Sequence, residues 1–347
     1  VRISDFGYTV GSMRTGPLDL ISDVPGVRVG HCTVDSGDTH TGVSILFPCE
    51  GSAYERRPVA ASFVENGYGK TAGLVQIDEL GYLESPIALT NTLNVGRVMD
   101  ALVGYILDEE ASHGIEVRSV NAVVGETNDS RINRISARAV GEKELRAAAA
   151  QAMEGDGTFA QGAVGAGRGT VCFGLKGGIG SASRIVRFGG HSYCIGALVQ
   201  SNFGSMENLM ICGEPVGRRI AGELRAEKSD DRGSIMVIIG TDLPLDARQL
   251  RRVLKRAAVG LVRTGSFLGH GSGDVFIGFT NGNFVPAVKS EELLTVRCFP
   301  EDRMDRVFVP CAEAVEEAVL NSLVNAADDR ELNGKVCRSL ADFLVRK

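Results

Sequence analysis

The chain contains no tryptophan, no C-x-x-C pair, no H-E-x-x-H and no apolar run approaching the ~20 residues that a membrane-spanning helix needs. A helical span across a membrane is therefore not expected. The eight cysteines, at 32, 49, 172, 194, 212, 298, 311 and 337, fall at spacings that fit neither a zinc site nor a disulfide framework. Five of them lie in apolar or small-residue stretches and read as small buried hydrophobes. The five histidines form no metal-ligand pair and no recognisable triad order. Positive charge is not in excess either: 37 Lys and Arg against 43 Asp and Glu give a net charge of −6. A nucleic-acid partner, which needs a basic face, is not expected. The opening residues, Val1-Arg2-Ile3-Ser4-Asp5, show no signal-peptide hydrophobic region. The expected compartment is the cytoplasm, or the periplasm if a leader has been removed.

Glycine is abundant: 44 of 347 residues, against an average share of about 7%. The glycines cluster between apolar runs and imply tight turns and close backbone approaches. Two clusters invite a cofactor reading and fail it. Gly69-Lys70-Thr71 has Val64 where a phosphate-binding loop needs glycine. The glycine-dense stretch from Gly155 to Gly180 encloses strand-like residues from Thr170 to Leu175, which predicts a hairpin instead of a dinucleotide fingerprint. Neither a cofactor nor a metal is expected.

Strands are expected near His31 after a Pro25-Gly26 turn, and at 43–47, 59–64, 117–124, 192–199, 209–212, 235–239 and 275–279. Helical spacing runs from Val95 to Leu107, and an Ala-rich charged helix is expected from Ile135 to Met153. A further helix through 250–262 is opened by an Asp246/Gln249 capping box, and the last is expected to begin at Pro310. Strands in runs with a few long helices between them indicate an α+β layered fold. The charged stretch 214–233 reads as an exposed loop inside one domain spanning 1–347.

That loop runs straight into the core. From Ile235 to Ile239 every residue is apolar and most are β-branched, the signature of a strand buried on both faces. The junction is Gly233-Ser234. A serine at the mouth of a buried strand has a rigid backbone, and a glycine before it leaves its own carbonyl open to attack. Those are the requirements for a serine that cleaves the bond before itself and then acts as an N-terminal nucleophile.

Six segments, taken together, carry a resemblance. They are Asp23 to His31, Thr90 to Gly96, Gly125 to Asp129, Lys176 to Arg184, Leu198 to Gly204 and Gly233 to Leu245. In this order the chain resembles the L-aminopeptidase/D-amidase-esterase and β-aminopeptidase family from about residue 3 to 340. The resemblance implies a four-layer αββα sandwich like that of the N-terminal-nucleophile hydrolases. It implies self-cleavage into 1–233 and 234–347, and assembly as a homo-oligomer. Residue by residue, Ser234 matches the nucleophile, Gly233 the residue it is cut from, and Asn202 the oxyanion-hole asparagine. Glu126 matches the carboxylate that receives the substrate's free amino group, and Ser272 and Asp274 match the pair that supports the nucleophile. The implied substrates are small peptides, amides or esters of α-, β- or D-amino acids with a free amino terminus.

The chemistry of these residue types agrees. A serine hydroxyl needs a base. Cleavage before Ser234 would create an α-amine of pKa about 7.7–8, well suited to that role near neutrality. Two other readings use the same fold: an acyltransferase that hands the acyl group to an amine, and a non-catalytic scaffold. The first usually cleaves before threonine, where this chain has Ser234. The second has no need of Gly233-Ser234, Asn202 and Glu126 together, and would remain uncut.

Overall fold

The computed structural model describes residues 1–225, 233–287 and 291–345. The first sheet consists of β1 (Arg28–Ser36), β2 (Thr39–Phe47), β4 (Ile87–Asn91) and β5 (Val123–Thr127), in the order β1-β2-β4-β5. The second has the order β3-β11-β10-β9-β8. Its strands are β3 (Pro58–Gly67), β8 (Ile179–Phe188), β9 (His191–Asn202), β10 (Ser234–Thr241) and β11 (Gly273–Phe284). A short hairpin, β6 (Val171–Cys172) with β7 (Leu175–Lys176), precedes β8. Its two turn residues, Phe173 and Gly174, have φ of 52° and 70°, as a tight two-residue hairpin turn requires.

The helices are α1 (Ala53–Arg56), α2 (Leu74–Leu80), α3 (Val95–Ser112), α4 (Glu142–Glu154), α5 (Val216–Leu224), α6 (Ala247–Leu254), α7 (Ala257–Arg263) and α8 (Asp305–Val324). Strand alternation divides the core into the spaces of a sandwich. Along β2, Val43, Ile45 and Phe47 pack with Val98, Leu102 and Ile106 of α3 and Leu145 and Ala148 of α4. Leu46 points the other way and meets Met236 and Ile238 of β10 between the sheets. Ile235, Val237 and Ile239 point outward onto Leu250 of α6, Leu261 of α7 and Val315 of α8. Helices, sheet, sheet and helices thus stack as the expected αββα layers.

Several boundaries differ from the sequence reading. The fifth strand starts at Val123, not 117, and carries Glu126 and Thr127 inside it as buried residues. The polar residues Arg118, Ser119 and Asn121 have no place in a buried strand. The helix expected through 250–262 is two, α6 and α7, with Gly260 of α7 lying against the backbone of α8 at Ala312. The final helix starts at Asp305, so Pro310 lies inside it. The stretch 209–212 forms only a bridge from Ile211 to Glu214. Part of the charged stretch is helix α5, whose Val216, Ile220 and Ala221 are buried; the remainder, 226–232, lies outside the described residues. The capping box holds, with Gln249 N–H donating to Asp246 Oδ1 at 2.6 Å. The eight cysteines are all free, and Cys49, Cys172, Cys194, Cys311 and Cys337 are buried. Among the described residues no helix is long and apolar enough to cross a membrane.

Candidate active site

Ser234 is the first residue of β10, and sheet register decides what surrounds it. Antiparallel β9 sets Asn202 opposite it, and parallel β11 sets Gly273 beside it. Directly opposed residues carry their side chains on one face, about 5 Å apart at Cβ. Ser234 shares the parity of Met236 and Ile238, so it faces the space between the sheets where that space opens. Glu126, at the end of β5 in the other sheet, lines the same cavity of about 730 Å³. Gly233, Ser234, Asn202 and Glu126 are therefore brought together from three places in the chain. Ser272 and Asp274 stand behind the cavity, both buried.

Each polar group is held by a named neighbour. Gly273 N–H donates to Ser234 Oγ at 3.2 Å. Val171 N–H donates to Asn202 Oδ1 at 3.0 Å, so the amide's oxygen is engaged and its Nδ2 is the end that remains to donate. Glu126 accepts Lys70 N–H on Oε1 at 2.8 Å and the Thr92 hydroxyl on Oε2. A carboxylate has about four acceptor positions, so room is left for an ammonium group. Ser272 Oγ donates to Asp274 Oδ1 at 2.5 Å. This bond ties the two expected support residues to one another.

Two glycines are required by close approach. A Cβ on Gly233 would stand 2.1 Å from Asn202 O and 2.3 Å from Phe203 Cα. One on Gly273 would stand 2.5 Å from Gly69 N. Both contacts are with backbone, which cannot swing aside.

Sequence reasoning passed over a supporting set. Gly69-Lys70-Thr71 is no phosphate loop, yet its Lys70 N–H does bind an anion, the Glu126 carboxylate. Asn66 Nδ2 donates to the carbonyls of Gly269 and Ser272 at 2.8 and 2.6 Å and so fixes the loop that delivers Gly273. Lys176 is fully buried, and its Nζ donates to the carbonyls of Gly167, Thr170 and Gly177 at 3.2, 2.9 and 2.8 Å. Burial pushes its pKa down to about 8. By tying Thr170 it holds the neighbouring Val171 N–H against Asn202. The Gly125-to-Asp129 segment is anchored by Asp129, which accepts from Thr41 Oγ1 at 2.6 Å and Asn133 Nδ2 at 2.9 Å. Burial raises the Asp129 pKa. The one available signal was a polar or cationic residue inside a glycine cluster.

A hydroxyl, an aimed amide donor and a carboxylate in one cavity suit acyl transfer from a substrate that carries a cationic amine. Comparison with known proteins leads to the same place. The model of peptidase family S58 matches residues 19–337. The β-peptidyl aminopeptidase BapA of Sphingosinicella microcystinivorans is 36% identical, over 99% of this chain and 91% of the relative. The solved structure of a Burkholderia sp. β-aminopeptidase is 39% identical, with a TM-score of 0.89 over 98% of this chain and 96% of that one. That of the L-aminopeptidase D-Ala-esterase/amidase of Ochrobactrum anthropi, described as a prototype serine aminopeptidase and a variant of the N-terminal-nucleophile hydrolase fold, is 33% identical. Its TM-score is 0.90 over 98% of this chain and 95% of that one. With a match across nearly its whole length and the αββα layers in place, the chain belongs to peptidase family S58, as a serine aminopeptidase of the N-terminal-nucleophile type.

Proposed function

We propose that the chain cuts itself between Gly233 and Ser234, and that Ser234 then removes the first amino acid from short peptides, amides or esters with a free amino terminus. The observation that carries this reading is the register of β10, which sets Ser234 between Asn202 and Gly273 at a cavity that also holds Glu126. In the uncut chain, Ser234 Oγ attacks the Gly233 carbonyl carbon and the C–N bond breaks. Ser234 gains a free α-amine, and Gly233 is left as an ester on Oγ. Water hydrolyses that ester, leaving a carboxylate on Gly233 and the Ser234 hydroxyl. In turnover the α-amine takes the Oγ proton as Oγ attacks the substrate carbonyl, and Asn202 Nδ2 donates to the oxyanion. The ammonium so formed returns the proton to the leaving amine or alcohol as its bond to the carbonyl carbon breaks. Water then hydrolyses the acyl ester, freeing the amino acid and the Ser234 hydroxyl. Gly273 N–H stabilises charge on Oγ. Asp274, beside Ile235 in the sheet, supports the protonated amine, with Ser272 orienting its carboxylate.

Glu126 binds the substrate's ammonium group. The likeness to β-aminopeptidases supports including peptides that begin with a β-amino acid, whose extra methylene moves that ammonium by little more than one bond. Hydrolysis of β-Ala, Ala and Gly p-nitroanilides ranks these choices. The family resemblance also leads us to expect a homo-oligomer.

The direct test compares a free and an N-acetylated aminoacyl p-nitroanilide. The acetylated compound should be a poor substrate. Glu126→Gln should lower kcat/KM on the free one by about 30-fold or more, from the ~2 kcal/mol lower bound for unpairing a buried charge. Equal rates on both compounds would rule out amine recognition at Glu126.

The crowding at Gly233 gives a second expectation. Gly233→Ala should slow maturation at least about tenfold, because its methyl group displaces the scissile carbonyl, and ~1 Å misplacement can cost ~10²-fold. Pulse-labelled precursor followed on a gel measures this. Processing at the normal rate would show that the tight contact does not position the bond.

A further inference from the structure

A second cavity of about 590 Å³ lies at the other end of the first sheet. Pro86 lines it just before β4, whereas Thr92, which holds Glu126, follows β4. Glu110 lines it near the C-terminal end of α3, about 22 Å along that helix from Val95 at 1.5 Å per residue. The two sites are thus separate.

The electrostatics of this end of α3 are locally unfavourable. Asp108, Glu109 and Glu110 occupy the last turns of α3, where the helix dipole already places negative charge. Asp108 is paired with Arg146 at 2.5 Å. Glu110 is only 4% exposed. Its Oε1 accepts from Ser52 Oγ at 2.5 Å, but its Oε2 is buried with no hydrogen-bond partner among the described residues. A buried carboxylate oxygen without a donor is costly, and a ligand that supplied one would relieve that cost. Two nearby arginines are engaged elsewhere: Arg28 donates to Gly155 O at 3.1 Å, and Arg57 faces Glu84 at 3.4 Å; His113 also lines the cavity. Glu109 and Glu50 add negative charge at the rim.

The rest of the lining is apolar and aromatic. Phe47 and Tyr105 meet edge to face at 6.1 Å, with Ile106 and Met153 beside them. Among the described residues no group of three or more His, Cys, Asp or Glu is placed to hold a metal ion. A carboxylate beside aromatic faces suits an ammonium group on an apolar body. We propose that this cavity is a second binding site, for a small organic amine in its protonated form, with Glu110 Oε2 as the acceptor. This reading is independent of the roles proposed for Ser234 and Glu126.

The test is methyl-detected NMR of the full protein titrated with 2-phenylethylammonium, with neutral 2-phenylethanol as control. The ammonium should shift the methyl signals of Ile106 and Met153 and bind there at least tenfold more tightly than the alcohol. Glu110→Gln should weaken that binding at least tenfold, while Glu126→Gln should leave it unchanged. Met153→Trp, a change at a half-exposed rim position, should block it equally and serves if Glu110→Gln does not fold. Three outcomes would overturn the proposal: ammonium binding that leaves Ile106 and Met153 unmoved, equal binding of the alcohol, or wild-type affinity in Glu110→Gln or Met153→Trp.

Discussion

Ser234→Ala should be recovered as one uncut chain of 36.8 kDa, and its hydrolysis of aminoacyl p-nitroanilides should fall by roughly 10⁴-fold or more. The wild type should give two species by intact mass, residues 1–233 and 234–347. The effect is large because one side chain serves twice. Without Oγ there is no attack on Gly233, so the α-amine never forms, and turnover loses nucleophile and base together. Losses of groups that act as a unit do not add, so a further Asn202→Ala change in Ser234→Ala should cost little more. The fold should persist. Ser234 is only the first residue of β10, and Ile235 to Ile239 keep both core spaces filled. Two fragments from Ser234→Ala, or an active wild type that remains a single chain, would refute the assignment.

Asn202→Asp is the sharper test of the oxyanion donor. Its carboxylate keeps the shape of the side chain and the acceptor for Val171 N–H, now at 3.0 Å. What it loses is the Nδ2 donor, and it gains a negative charge where negative charge develops. Removing such a donor typically costs about 2.7–4 kcal/mol, or ~10²–10³ in kcat. Asn202→Ala should fall in that range, and Asn202→Asp should fall at least as far, with melting behaviour close to wild type. The loss should appear in kcat more than in KM, because the donor acts on the transition state. If Asn202→Asp retains more than about a tenth of wild-type kcat, Asn202 only anchors the β6–β7 hairpin and another group serves the oxyanion.

The amino-acid sequence by itself determined the layers and singled out the junction at which self-cleavage is proposed. Alternation along Val43 to Phe47, the helical face from Val95 to Ile106 and the continuous apolar run after Ser234 are local patterns, and each finds its place in a definite core space. The Gly233-Ser234 step is local too, since a glycine and a serine at the mouth of a buried strand are adjacent in the chain. Tertiary structure decided what sheet register and backbone groups decide. That Asn202 and Gly273 flank Ser234 depends on how β9, β10 and β11 pair, and pairing across more than 30 residues leaves no periodic trace in any one segment. The holders of the site are mostly main-chain N–H groups, at Gly273, Val171 and Lys70. Every residue except proline carries such a group, so no residue type announces it. Lys176 illustrates the limit: in the sequence it is one lysine among glycines, and only the fold shows it buried, lowered in pKa and bonded to three carbonyls beneath Asn202. Even the helix boundaries follow this division, because a proline reads locally as a start, while the packing of Val307 and Phe308 extends α8 by a turn before Pro310.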